Sequence, residues 1–254
     1  MTKVFIIAEA ACTWLHGGLE AAYRSIQAAK ACGADAFKTQ WTSDPEAMAM
    51  RRGVARDKYT RLGWGVDALP LLKAECDRVG IEFMCTVFIP KDACTIHPYL
   101  KRAKVAAFER NDRELINALR AHIKDIIISY NGDAPHQYGS NGWSALYCVS
   151  EYPTPLESLK MGRFLDDQDE YGRRYDGLSD HTTSVLTGAV AVGAGARIIE
   201  KHVRLSDTPE TDPDYGHSLI CEWDTRFQYL SIAPQQGTPF KQYVDNIREA
   251  ERML

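Results

Sequence analysis

Residues able to do acid–base, anion-binding and metal chemistry stand at the ends of short apolar runs in this chain. His181 closes Gly177-Leu178-Ser179-Asp180, and His202 closes Ile198-Ile199-Glu200-Lys201. In chain order the polar residues in these positions are Glu9, Lys38 with Gln40, Thr86, Glu109, Ser129, Ser150 with Glu151, Ser179 with Asp180 and His181, and Lys201 with His202. One such residue usually marks only the start of a solvated loop. A series of them calls for one common surface. Two imidazoles on neighbouring strands, roughly 4.8 Å apart, can reach a single divalent ion. Lys38 in Ala36-Phe37-Lys38-Thr39-Gln40 suits a phosphate or carboxylate, although a lysine can also snorkel to water. Glu9 and Glu109 suit proton transfer or acceptance from a hydroxyl, or a salt bridge across a rim. The histidine pair alone is weak, because His16, His97, His122, His136 and His217 occur with no evident role.

The elements that must position these residues alternate from end to end. Strands are expected at 3–9, 35–41, 81–88, 104–109, 125–130, 145–150, 175–180 and 196–203. Helical patterns stand between most of them, including 19–33 closed by Gly33, 69–80, 93–102 and 114–123. A Gly/Ala/Val-rich helix follows the seventh strand, and a last helix runs near 242–254. A Gly/Asn/His-rich loop is expected at 131–143, and a charged stretch precedes Tyr175. Strand–helix alternation with eight strands predicts a (β/α)8 barrel, an α/β fold whose chemistry gathers at the C-terminal strand ends.

The chain has 254 residues, 45% of them hydrophobic, enough for one barrel domain spanning 1–254. A net charge of -4 without a lysine or arginine run gives no footprint for nucleic acid or an anionic membrane. No apolar stretch approaches the roughly 18 residues of a membrane span, and the first residues do not form a secretion signal. Seven cysteines at irregular spacing match neither a disulfide framework nor a zinc knuckle, so free thiols in the cytoplasm are expected.

With these residues in hand, the sequence resembles the sialic acid synthase family. The resemblance runs through IIAE, GADAFKTQW, CDRVGIEFMCTVF, VAAFE, CVSEYPTPLE, GLSDHT, IIEKHVRL and PDYGHSL, nearly the whole chain. It implies condensation of phosphoenolpyruvate with an N-acetylhexosamine such as N-acetylmannosamine, or a related aldose, to give a sialic-type or other 2-keto-3-deoxy acid. By motif, His181 and His202 correspond to ligands of a manganese or magnesium ion. Lys38, Ser129, Ser150 and Ser179 correspond to positions around the phosphate and carboxylate, with Gln40 beside them as a further substrate contact. Glu9, Glu109, Tyr152 and Asp214 correspond to positions around the sugar and the reacting carbon. A homodimer is the expected assembly.

Three departures stand out. The family's Phe-Lys-Ile-x-Ser-Gly-Glu segment after strand four reads here as Phe108-Glu109, as if a short stretch carrying the phosphate-binding lysine and serine were missing. The family's Asn-x-Asn-Gly loop appears as Trp14-Leu15-His16-Gly17-Gly18. The small antifreeze-like domain that often follows the barrel is absent from the sequence. The missing lysine leaves two alternatives open: a lyase or aldolase that no longer uses phosphoenolpyruvate, and a non-catalytic subunit.

Overall fold

A computed structural model describes residues 3–132, 143–164, 175–222 and 238–254. The loop expected at 131–143 and the charged stretch before Tyr175 lie almost wholly outside these residues, as does His136. Eight parallel strands pair in sequence order: β1 (Phe5–Ala11), β2 (Ala36–Gln40), β3 (Glu82–Thr86), β4 (Arg102–Val105), β5 (Asp125–Asn131), β6 (Trp143–Cys148), β7 (Gly177–Asp180) and β8 (Ile198–Arg204). β1 pairs in parallel with β8, from Phe5↔Ile198 to Glu9↔His202, and the sheet closes into the expected barrel. A short β9 (Leu219–Ile220) adds to β8 beyond the ring.

Seven α-helices are described: α1 (Gly18–Cys32), α2 (Pro45–Arg52), α3 (Ala68–Val79), α4 (Asp92–Ile96), α5 (Arg113–Arg120), α6 (Thr187–Gly193) and α7 (Pro239–Met253). Their ends carry local signals. Asp44 and Asp112 each accept a backbone N–H as N-caps of α2 and α5, and Gly33 closes α1 at φ 95°, a left-handed conformation that glycine adopts without penalty. The polar stretch after β2 thus holds a helix that its composition hides. The expected helix at 93–102 stops at Ile96, because Pro98 turns the chain into a 3-10 turn.

The expected strand at 104–109 is corrected by the structure. β4 ends at Val105, and Ala107–Glu109 form a 3-10 turn. Phe108 is 61% exposed and lies against the guanidinium of Arg52, so the apolar run there reflects a cation–π contact rather than a strand.

Outside the barrel the helices bury the other strand faces. Lys201 and Asp180 form an ion pair of 3.2 Å on this outer side, and Tyr243 of α7 donates to Asp180 at 2.9 Å. These two strand-end residues therefore tie β7, β8 and α7 together and do not face the barrel mouth. Gly177 allows β7 to close on β8, since a Cβ there would stand 1.9 Å from the Ile198 carbonyl oxygen. No helix among the described residues is long and apolar enough to cross a membrane.

Candidate active site

Strand side chains alternate between faces, so the register decides which residues share the barrel interior. One interior layer is apolar, with Ile7, Ala36, Met84, Ile127 and Leu146 in a single buried cluster. Two residues further along the same strands stand Glu9, Lys38, Thr86, Ser129 and Cys148, and β4, β7 and β8 bring Lys104, Ser179 and Glu200 to the same level. The interior thus turns from hydrocarbon to charge at one height, toward the C-terminal strand ends where the βα loops converge.

The charged layer is buried and internally paired. Lys38 Nζ contacts Glu9 Oε2, donates to Thr86 Oγ1 at 2.9 Å and lies 3.6 Å from Glu200 Oε2. Lys104 Nζ donates to Ser129 Oγ at 2.8 Å and lies 3.7 Å from Glu200 Oε1. Ser179 Oγ donates to Glu200 Oε1 at 2.7 Å. Burial pushes the Lys38 ammonium down to about 8; Glu200 opposes the shift and Lys104 adds to it. Burial alone would raise the Glu200 carboxyl, but Lys104, Lys38 and the Ser179 hydroxyl together hold it down at about 2. Glu9 also accepts the backbone N–H of Ala11, whose φ of 45° sits at an irregularity in β1. The carboxylate thereby fixes the chain where it leaves the barrel.

Above this layer lies a cluster of histidines. His181 and His202 have ring centroids 5.5 Å apart, and His217 lies 4.5 Å from His202. The exposed ring of Tyr152 covers them, 4.3 Å from His181 and 5.0 Å from His217. His181 Nδ1 donates to the Val149 carbonyl at 2.8 Å, which leaves a lone pair on Nε2, 3.5 Å from Ser179 Oγ. Burial pushes the His181 imidazole down to about 4, and burial with the neighbouring His217 and His181 rings keeps His202 well below its usual value. Neutral imidazoles with free lone pairs are the state that binds metals. Asp214 Oδ1 lies 3.4 Å from His217 Nε2 and 4.0 Å from His202 Nδ1. Among the described residues, His202, Asp214 and His217 are the group of three whose donor atoms all lie within 4.8 Å of one another. Two nitrogens and one carboxylate oxygen fit a first-row divalent ion.

The structure brings Glu9, Lys38, Ser129 and Ser179 into the charged layer, and His181, His202, Tyr152 and Asp214 into the cluster above it. Three residues singled out from sequence are engaged elsewhere. Glu109 is buried at the rim, where Arg52 holds it with two bonds of 2.7 Å in a cavity of about 260 Å³ lined by Arg51, Phe88, Phe108 and Asp112. Ser150 is exposed beside the Cys148 thiol. Gln40 closes β2, and its backbone carbonyl accepts from Trp64 at 2.8 Å.

Lys104, Glu200 and His217 were not singled out from sequence. Lys104 corrects the reading of a missing lysine. Counted from the lysine, Lys104-Val105-Ala106-Ala107-Phe108-Glu109 follows the Lys-Ile-x-Ser-Gly-Glu pattern without a gap; Lys104 stands in the lysine's place, and Ala107 takes the serine's. Glu200 was legible from period two, because it shares a strand face with His202. His217 lies in the Pro213-Asp214-Tyr215-Gly216-His217 stretch, on a connection that only tertiary folding brings to β8.

Comparison with known proteins places the chain among relatives. A sequence model described as the NeuB family matches residues 25–223. Pseudaminic acid synthase of Campylobacter jejuni is 29% identical over 285 aligned positions, covering 99% of this chain and 75% of that protein. N,N'-diacetyllegionaminic acid synthase of Legionella pneumophila is 27% identical, covering 98% and 73% respectively. Among solved structures, N-acetylneuraminic acid synthetase of Leptospira borgpetersenii shares the fold with a TM-score of 0.77 at 23% identity, covering 99% of this chain and 84% of that one.

Proposed function

The chain belongs to the NeuB family, an enzyme family of the sialic acid synthase type, and on that premise we propose that it condenses phosphoenolpyruvate with the open-chain form of an N-acylated amino sugar. The product is a nonulosonic-type 2-keto-3-deoxy acid. The observation that carries this reading is the placement of two buried lysines, Lys38 and Lys104, 3.6 and 3.7 Å from one carboxylate beneath a histidine-lined mouth.

Two ammonium groups and two carboxylates leave the charged layer formally neutral. A substrate with a phosphate and a carboxylate therefore needs further positive charge, and the donors at His181, His202, His217 and Asp214 can supply it by holding a divalent ion such as manganese or magnesium. Such an ion polarises an aldehyde oxygen as a Lewis acid. Lys38 and Lys104 exchange their carboxylate partners for the phosphate and carboxylate of phosphoenolpyruvate. Ser129 and Ser179 orient those anions through their hydroxyls, and Arg110, which donates to the Ala107 carbonyl at 2.8 Å, stands at the rim where the family's serine is lost. In the bond-making step C3 of phosphoenolpyruvate bonds to the aldehyde carbon. Water then adds at C2 and phosphate departs, so that one sugar, one phosphoenolpyruvate and one water give the acid and phosphate. Fixed charges aimed at the reacting groups stabilise this developing charge without reorganisation.

The alternative of a lyase that has abandoned phosphoenolpyruvate rested on a missing lysine, and Lys104, buried beside Glu200 and Ser129, favours the synthase reading over it. The test is phosphate release from phosphoenolpyruvate with N-acetylmannosamine or a diacetamido hexose in the presence of manganese, with the product identified by mass. Release that requires both substrates is expected. No release and no chain-extended keto acid with either sugar would overturn the reading.

A further inference from the structure

We infer that Cys32 and Cys221 form a reversible dithiol–disulfide pair that takes a peroxide as its oxidant and, when closed, locks β9 to the end of α1. Cys32 is the last residue of α1, and Cys221 directly follows β9, 189 positions further along the chain. Their sulfurs lie 3.9 Å apart, with the Cys221 thiol donating to Cys32 Sγ. A disulfide holds its sulfurs at about 2.05 Å, so about 1.9 Å has to be closed. One Sγ sweeps a longer arc than that when a cysteine changes rotamer.

The two thiols differ in a way that suits an attacking and a resolving partner. The Cys221 hydrogen bond holds the Cys32 thiol below its ordinary value against the effect of burial, and Thr238, whose Oγ1 lies 3.8 Å away, and the Lys241 ammonium act in the same direction. Burial pushes Cys221 well up, and burial likewise raises Cys12, Cys76, Cys85 and Cys148. Thiolate character governs attack on an oxidant, which makes Cys32 the first to react. Its thiolate takes one oxygen from hydrogen peroxide as the O–O bond breaks, giving a sulfenic acid and hydroxide. The Cys221 sulfur then bonds to Cys32 Sγ and the S–O bond breaks, the proton leaving with the oxygen as water. Two thiols and one hydrogen peroxide thus give one disulfide and two waters, with two electrons passing from sulfur to peroxide oxygen. Dithiothreitol or another dithiol reverses the bond by exchange.

The position of the pair gives the bond a mechanical effect. The Cys221 backbone N–H donates to the Arg204 carbonyl at 2.8 Å, and β9 pairs with β8 through Leu219 and Ile220. The connection that carries Asp214 and His217 hangs between β8 and β9, so a covalent tie at Cys221 restrains its far end.

The test exposes the full chain, as parent and as Cys94→Ser, to a small molar excess of hydrogen peroxide and follows it by mass spectrometry. Cys94 is the exposed cysteine, and its replacement leaves the buried pair in place. Both proteins should lose about 2 Da, the two thiol hydrogens, and yield one peptide pair joined through Cys32 and Cys221. Dithiothreitol should restore the mass. Hydrogen exchange at the Cys221 backbone N–H should slow at least about tenfold in the closed form and recover on reduction. Cys32→Ala should remove the cross-link, and Cys221→Ala should leave Cys32 with added oxygen only. Where an alanine variant does not fold, the peptide map of the parent decides. Free thiols at both positions after treatment, added oxygen at Cys32 of the parent without a bond to Cys221, or a bond between other cysteines would overturn the pairing. A complete cross-link with unchanged exchange at Cys221 would overturn the lock.

Discussion

Arg52 and Glu109 form a closed fork at the barrel rim, with Nε and one terminal nitrogen each 2.7 Å from a carboxylate oxygen. The guanidinium also lies about 5 Å from the ring centroids of Tyr59, Phe88 and Phe108. Removing one partner of a buried pair strands the other charge, at a cost of about 3 to 5 kcal/mol. Arg52→Met should therefore lower the melting temperature by roughly 6 to 20 °C for a chain of this size. Arg52→Met combined with Glu109→Gln should recover most of the loss in thermal denaturation. Equal melting of the single and double variants would show that the pair adds nothing.

Lys104→Met should impair phosphoenolpyruvate use while leaving a folded protein. A charge-assisted bond contributes about 1.5 to 3 kcal/mol, so kcat/KM should fall by roughly ten- to a hundred-and-fifty-fold. Steady-state phosphate release over a range of phosphoenolpyruvate concentrations measures this. An unchanged value would place the phosphate elsewhere.

Stability should rise with pH across the alkaline range because of Lys38. Its folded pKa of about 8 lies below the 10.5 of the free side chain. Between these values the unfolded chain holds a proton that the folded chain has given up, so unfolding becomes less favourable as pH rises from 8 to 10.5. Below 8 the cost of burying the ammonium is fully present. The difference in unfolding free energy between parent and Lys38→Met, measured from pH 7 to 11, should change in this window; a flat difference would refute the shift.

Gly177→Ala should disrupt closure of the barrel. The added Cβ meets backbone, the Ile198 carbonyl at 1.9 Å, and no flexible side chain can yield to it. Displacement of β7 also moves Ser179, two residues on. Destabilisation of about 3 kcal/mol or more is expected in denaturant titration, with loss of synthase turnover. A variant as stable as the parent would mean that β7 and β8 have slack which the structure does not show.

The barrel was legible because each strand is a short apolar run and each crossover has its own punctuation, as at Gly33 and Gly80. The end of β4 was not, since Ala106-Ala107-Phe108 continues the apolar run while Phe108 turns outward to Arg52. Part of the site was equally legible. Glu9, Lys38, Ser129 and Ser179 lie where strand ends and period two place them, and the same rule applied to Lys104 and Glu200 would have found the rest of the charged layer. His217 and the engagement of Glu109 by Arg52 depend on which loops meet over the barrel, and local pattern carries no record of that.

Closure of the ring through β1 and β8 has a consequence during synthesis. Phe5 pairs alongside Ile198, so one edge of the first strand stays open until nearly all of the barrel has been made. At about 5 to 20 residues per second, this exposure lasts roughly 10 to 40 s on the ribosome. Its sequence, Phe5-Ile6-Ile7-Ala8, is apolar and rich in strand formers, the kind of edge that recruits other chains. A nascent chain stalled before β8 would present that edge indefinitely, and chaperone demand should concentrate there.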